Sequence, residues 1–235
     1  MALLPLPGCA FSLLYVRTAS YDGRPAPDLT ARARIRDAAV ECFAAEGFEA
    51  PFRTIAARAG VSPALITHHF GSKTSLRAEC DADVLRRYRS LKSDAVARPS
   101  PSLFDALTAP GASATLLVYI LRAILAGGAS ARAFIDHLID DMAPVMADAV
   151  ATGMVRPSRD EAARLRYLTY QTMGALAVQF VTTPDVTPEE FVASLHTGEQ
   201  ATLLPMLELL TEGMLADRGM LDDYVAHLAS RRSRP

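Results

Sequence analysis

The sequence predicts an all-α protein, and three observations predict it. Apolar residues recur at helical spacing: Ile35, Ala39, Cys42 and Phe43 fall at i, i+4, i+7 and i+8 on one helix face. No stretch shows the strict apolar-polar alternation of a half-buried strand. The punctuation is that of helices, with glycines after periodic segments (Gly47, Gly60, Gly127-Gly128) and prolines at starts and stops (Pro63, Pro99, Pro101).

The elements follow in order. The first helix carries the Ile35–Phe43 face and ends near Gly47. Two short helices come next, Pro51–Ala59 and Pro63–His69. Gly60 stands where the first of these must stop, in the left-handed backbone that other residues resist. Ser62 caps the second, and Pro63 fits its first turn, where a missing N–H costs nothing. Ala56, four residues before Gly60, leaves room for a close helix crossing. Ser72 caps a long helix that runs to about Arg98, with Arg86, Arg87, Arg89, Lys92 and Asp94 along a partly exposed spine.

After Pro101 the helices grow more apolar. A short one is expected over Ser102–Thr108. Ala112–Ala126 is apolar all round, which marks a helix buried in a core or lining a cavity. Ser130–Thr152 follows, with a kink at Pro144, and then Arg159–Val181. Pro188–His196, Glu199–Ala216 and Leu221–Ser230 complete the chain. Pro205 predicts that the penultimate helix is kinked or starts late.

Composition sets bounds. The 235 residues suffice for one large or two small domains, and half are hydrophobic, enough for a sizeable core. The net charge of −2 is unevenly spread: Thr30–Arg98 has 12 basic and 8 acidic residues, the remainder 12 and 18. A basic early third suits a nucleic-acid partner. Cys9, Cys42 and Cys80 are far apart and form no C-x-x-C pair, so neither a zinc site nor a disulfide framework is expected, and a reducing cytoplasm is the default. The start, Met1–Arg17, is apolar but interrupted by Pro5 and Pro7, with no basic residue before Arg17; residues 1–28 read as a disordered or loosely ordered extension. No segment has the roughly 18 unbroken apolar residues of a membrane span.

Residues Arg53–Lys73, RTIAARAGVSPALITHHFGSK, are the most informative stretch. Two short helices joined by a glycine turn, with a third helix starting at once, are the grammar of a helix-turn-helix. The helix from Pro63 to His69 is then the one offered to the major groove. Ala39–Phe48 (A-x-x-C-F-A-A-E-G-F), Ile55–Ser62 (I-A-A-R-A-G-V-S) and His68–Lys73 (H-H-F-G-S-K) followed by Leu76 resemble the DNA-binding domain of TetR-type, tetracycline-repressor-like regulators. The resemblance covers about a quarter of the chain. It implies a homodimer on a palindromic double-stranded DNA operator, released by a small molecule bound in a C-terminal helical domain of ligand binding and dimerisation. The implied division is 29–75 for DNA binding and 76–235 for effector binding and dimerisation. Two departures stand out. Thr67 replaces a frequent tyrosine, and Ala50-Pro51 stands where a capping Thr or Ser is common.

The candidate DNA contacts are Arg53, Ser62, Pro63, Ala64, Thr67, His68 and Lys73. Arg53 lies in the first turn of the first short helix. Ser62, Pro63, Ala64 and Thr67 form the exposed side of the second, while Leu65, Ile66 and Phe70 read as core. Ala64 and the Thr67 methyl suit a thymine methyl. Such a small reading face leans on DNA shape. His68 is expected at a phosphate, and His69 packed or backbone-bonded. Lys73, one of two lysines beside Lys92, begins a helix, where a cation does not complement the dipole; a phosphate explains it.

Candidate ligand-binding residues are Phe104, Leu117, Ile120, Phe134, His137, Asp141, Met142, Tyr170 and Met173, with Leu138 and Met146 beside them. His137 and Asp141, at i and i+4, can pair with each other, orient a ligand, or form a surface pair. The expected effector is mainly apolar. Gly174-Ala175, Ala177 and the Leu207, Leu210, Met214 stripe point to the dimer bundle. No cofactor, metal or catalytic residue is expected. Two rival readings remain: a small all-helical enzyme using His68-His69 or His137-Asp141, and a protein-binding regulator without DNA affinity.

Overall fold

The computed structural model describes residues 31–97, 112–183, 186–197 and 199–232. The expected extension 1–28 and the short helix Ser102–Thr108, with Phe104, lie outside the described residues. Among the described residues there are ten helices and no strand: α1 (Ala31–Glu46), α2 (Phe52–Ala59), α3 (Pro63–Phe70), α4 (Lys73–Ala97), α5 (Ala112–Leu125), α6 (Gly128–Ala151), α7 (Glu161–Thr182), α8 (Pro188–Thr197), α9 (Glu199–Thr211) and α10 (Gly219–Arg232). They fall into two compact units, one through Phe191 and one from Val192 onward.

The local signals act as the sequence predicts. Gly60 ends α2 at φ +65°, ψ 41°, with Val61 N–H donating back to the Ala56 carbonyl at 3.0 Å. Ser62 Oγ accepts from Leu65 N–H at 3.3 Å and Ser72 Oγ from Ser75 N–H at 3.0 Å. Some boundaries move for local reasons. The Asp160 carboxylate caps α7 by accepting from Ala163 N–H at 2.9 Å, so the helix begins at Glu161 rather than Arg159. The last residues expected in α9 lie beyond its end at Thr211, because Gly213 takes φ +81°. Pro205 sits inside α9, which starts at Glu199, so the late start is not adopted.

In the first unit, α1 packs on α2, α3, α4 and α5, α4 packs on α5 and α6, and α7 covers α5 and α6. Ile35, Ala39, Cys42 and Phe43 are each 0 % exposed, as their spacing requires. Fully burying a side chain such as Ile35 or Phe43 contributes about 1.5–3 kcal/mol. The all-round apolar helix is indeed the central one: Val118, Tyr119, Ile120 and Leu121 of α5 are buried.

Charges are buried where α1 meets α4. Asp83 is 1 % exposed and forms ion pairs with Arg36, Arg86 and Arg87, while Arg87 also reaches Asp37 of α1. Where α4 meets α5, the Tyr119 hydroxyl donates to Asp81 Oδ1 at 2.7 Å. Burial pushes the Asp81 pKa up, against the Tyr119 hydrogen bond and the charges of Arg77 and, more weakly, the neighbouring His137 side chain, which pull it down. A raised native pKa means that the folded protein holds its proton more tightly. The stabilising contribution is therefore full below the unfolded carboxylate value and is lost as pH rises through the native one. Asp81→Asn keeps an acceptor for Tyr119 without the charge. The variant is expected to lose less stability than the parent as pH rises from about 4. A difference in melting temperature that stays constant with pH would show that Asp81 does not titrate this way.

Candidate nucleic-acid interface and ligand pocket

α3 ends at Gly71, whose φ of +71° turns the chain into α4. Ile66 and Phe70 of α3 are buried, and Leu65 is half-buried. Ser62, Pro63, Ala64, Thr67 and His68 are all exposed on the other side of the same helix, as is Arg53 in the first turn of α2. No side chain caps α2, because its N-cap is Pro51. The Thr67 hydroxyl leans on the Pro63 carbonyl at 3.5 Å, which shortens its outward reach. His69 is half-buried, and its carbonyl accepts from Arg32 at 2.6 Å. The His68 and His69 rings meet edge to face, 5.4 Å apart. Lys73 lies 3.6 Å from Glu49, whose side chain is fully exposed.

Arg32 is a residue the sequence did not single out. It pairs with Glu79 of α4, covers the Phe70 ring at 4.7 Å and holds the last turn of α3. Arg122 of α5 is another. Its Nε donates to the Ala44 carbonyl at 2.7 Å and its Nη2 to that of Ala45 at 2.9 Å, near the end of α1. The guanidinium also sits 5.4 Å from the Phe180 ring centroid of α7. Beside it, Phe48 is held between Phe43 (5.4 Å), Tyr119 (5.3 Å) and the Arg77 guanidinium (3.6 Å). The helix-turn-helix is thus fastened to α5 by both hydrogen bonds and ring contacts.

The candidate ligand residues separate into three groups. Ile120 and Phe134 are core, at 0 % and 3 % exposed, and Leu117 is half-buried on α5. Met142 and Met173 line a cavity of about 170 Å³ together with Leu138, Leu168, Tyr88 and Lys92, between α4, α6 and α7. Tyr170 lines a separate, shallow cleft, where Arg166 donates to its hydroxyl at 3.3 Å and to Asp136 at 2.9 Å. Met146 borders an apolar groove with Val150 and Leu165. Of the alternatives for His137 and Asp141, the mutual pair is not formed: Asp141 reaches across to Arg89 of α4 at 3.1 Å, and His137 is exposed. Among the described residues, no group of three His, Cys, Asp or Glu is placed to hold a metal ion, and no helix is long and apolar enough to cross a membrane.

Comparison with known proteins agrees with this architecture. Residues 35–80 match the family of bacterial regulatory proteins of the tetR family, and residues 112–216 match the tetracyclin repressor-like C-terminal domain. The HTH-type transcriptional regulatory protein RaaS of Mycobacterium tuberculosis is 40% identical over 200 residues, spanning 85% of this chain and 93% of that protein. Two crystal structures from Rhodococcus share the fold. One, described as a TetR-family transcriptional regulator, has a TM-score of 0.50 at 20% identity, covering 73% of this chain and 97% of its own. The other, a transcriptional regulator from Rhodococcus sp. RHA1, has 0.51 at 19%, covering 72% and 95%. With the exposed face of α3, its support by Arg32 and these matches over both halves, the chain belongs to the TetR family of DNA-binding transcriptional regulators.

Proposed function

We propose that the chain is a cytoplasmic, homodimeric repressor that leaves a palindromic operator when a small molecule occupies the cavity between α4, α6 and α7. The observation that carries this reading is helix α4. It starts at Lys73, directly after α3, and carries Tyr88 and Lys92 on the cavity wall. A ligand that prefers a wider cavity displaces α4, and with it the base of α3. Differential affinity for the two arrangements supplies the switch; tight binding alone shifts nothing. Arg122 and Tyr119 give α5 a second hold on the same domain, through α1 and α4. Exposed apolar side chains on α7 (Tyr167, Val178) and on α9 (Leu204, Leu210) support a second copy as the partner.

The proposed DNA contacts are Arg53, Ser62, Pro63, Ala64, Thr67, His68 and Lys73. Lys73 is the phosphate contact with the cleanest test. Its pairing with Glu49 is exposed and weak, so a phosphate oxygen can take the ammonium over. Lys73→Ala is expected to weaken binding to all sequences alike and to lower the salt slope by about 1. Fragments selected from the source genome supply the operator for this measurement. An unchanged slope with altered base preference would give Lys73 a base-reading role. Absence of salt-dependent binding to any fragment would favour the protein-binding reading instead.

A further inference from the structure

We infer that the cavity between α4, α6 and α7 takes a small aromatic carboxylate, anchored by Lys92. This rests on the cavity being the effector site, as proposed above. Size comes first. About 170 Å³ is close to the roughly 150 Å³ that holds one benzene ring in a protein interior. Lining chemistry comes second. Met142 and Met173 face the space, and thioether sulfur makes favourable contacts with ring edges. Tyr88 adds a ring of its own to the wall. The polar groups decide the charge. Lys92 Nζ lies 5.2 Å from the Tyr88 ring centroid, and an ammonium only donates. Thr169 has its hydroxyl committed to the Leu165 carbonyl at 2.9 Å, and Thr172 stands exposed at the edge. Arg89, the neighbouring cation on α4, is neutralised by Asp141 at 3.1 Å. Among the described residues no carboxylate pairs with Lys92, so the cavity presents that positive charge beside a space of about one ring's size. A carboxylate both accepts from the ammonium and neutralises it; an alcohol only accepts, and a protonated amine repels it.

The test uses the full-length protein and three probes of one shape: benzoate, benzyl alcohol and benzylamine. Calorimetric titration is expected to show benzoate binding at least about 10-fold more tightly than the alcohol, with no binding of the amine. Lys92→Met, of similar length, is expected to abolish the preference for benzoate, and Lys92→Arg to retain it. Equal affinity for benzoate and benzyl alcohol, an unaltered preference in Lys92→Met, or no binding of any probe would each overturn the inference. Operator binding by the unliganded protein, measured in parallel, keeps the two readings apart. Operator binding without any benzoate titration sinks the ligand class and leaves the repressor. Benzoate binding that fails to release DNA leaves the ligand class and sinks its role as effector.

Discussion

Replacing Asp83 by alanine is expected to cost about 3 kcal/mol of stability, the lower end of what removing one partner of a buried ion pair costs. Asp83 is 1 % exposed, and three guanidinium groups converge on it from Arg36, Arg86 and Arg87. Without the carboxylate, Arg36 and Arg87, about 20% and 19% exposed, are left to share Asp37 at the α1–α4 seam. Arg86, 58% exposed, turns to water, which keeps the effect at the lower end. For a chain of this size the loss corresponds to a fall of about 6–12 °C in melting temperature. Asp83→Asn, which keeps shape and one acceptor, is expected to lose less. A fall of under about 2 °C in Asp83→Ala would show that Asp37 and packing hold the seam without Asp83. The result bears on function, because α1 and α4 are the two helices on which α2 and α3 rest.

How much of this was legible in the sequence depends on how far apart the interacting residues are. The turn from α2 to α3 was fully legible, because Gly60, Ser62 and Pro63 act within one helical turn of themselves. The same holds for the cap at Ser72 and for the exposed side of α3, where the neighbours Leu65, Ile66 and Phe70 mark the buried side. Arg32 was not legible: its acceptor, the His69 carbonyl, is 37 residues away. Nor was Arg122, which caps a carbonyl 78 residues earlier in the chain and looks, in sequence, like one charge on an apolar helix. Lys92 read as part of a solvated spine. Only the approach of α6 and α7 turns its side of α4 into a cavity wall. For His137 and Asp141 the converse reason decided between the alternatives. Helical spacing made them neighbours, but a nearer cation on another helix, Arg89, captured the carboxylate.

Gly174→Arg is expected to split the dimer and to reduce operator affinity by about 100-fold or more, the factor gained when a second half-site binds in the same complex. Gly174 lies on α7 in the middle of an exposed apolar stripe: Tyr167 (67 % exposed), Tyr170 (47 %), Val178 (62 %) and Val181 (57 %). Such a stripe along one helix face is costly to leave in water and suits a second helix laid against it. Within one chain a Cβ added at Gly174 meets nothing within 4 Å, so the position opens outward and a side chain there starts without a clash. Replacing a helical glycine also removes a propensity penalty of about 0.8–1 kcal/mol. Any loss therefore comes from what packs on this face. Two recognition helices must sit one helical turn of DNA apart, about 34–36 Å, and a free subunit cannot fix that distance. Sedimentation velocity is expected to show a monomer, with far-ultraviolet circular dichroism unchanged and binding reduced to that of a single half-site. A dimer that persists in Gly174→Arg would move the interface off this stripe, and the exposed residues of α9 would then be the next to change.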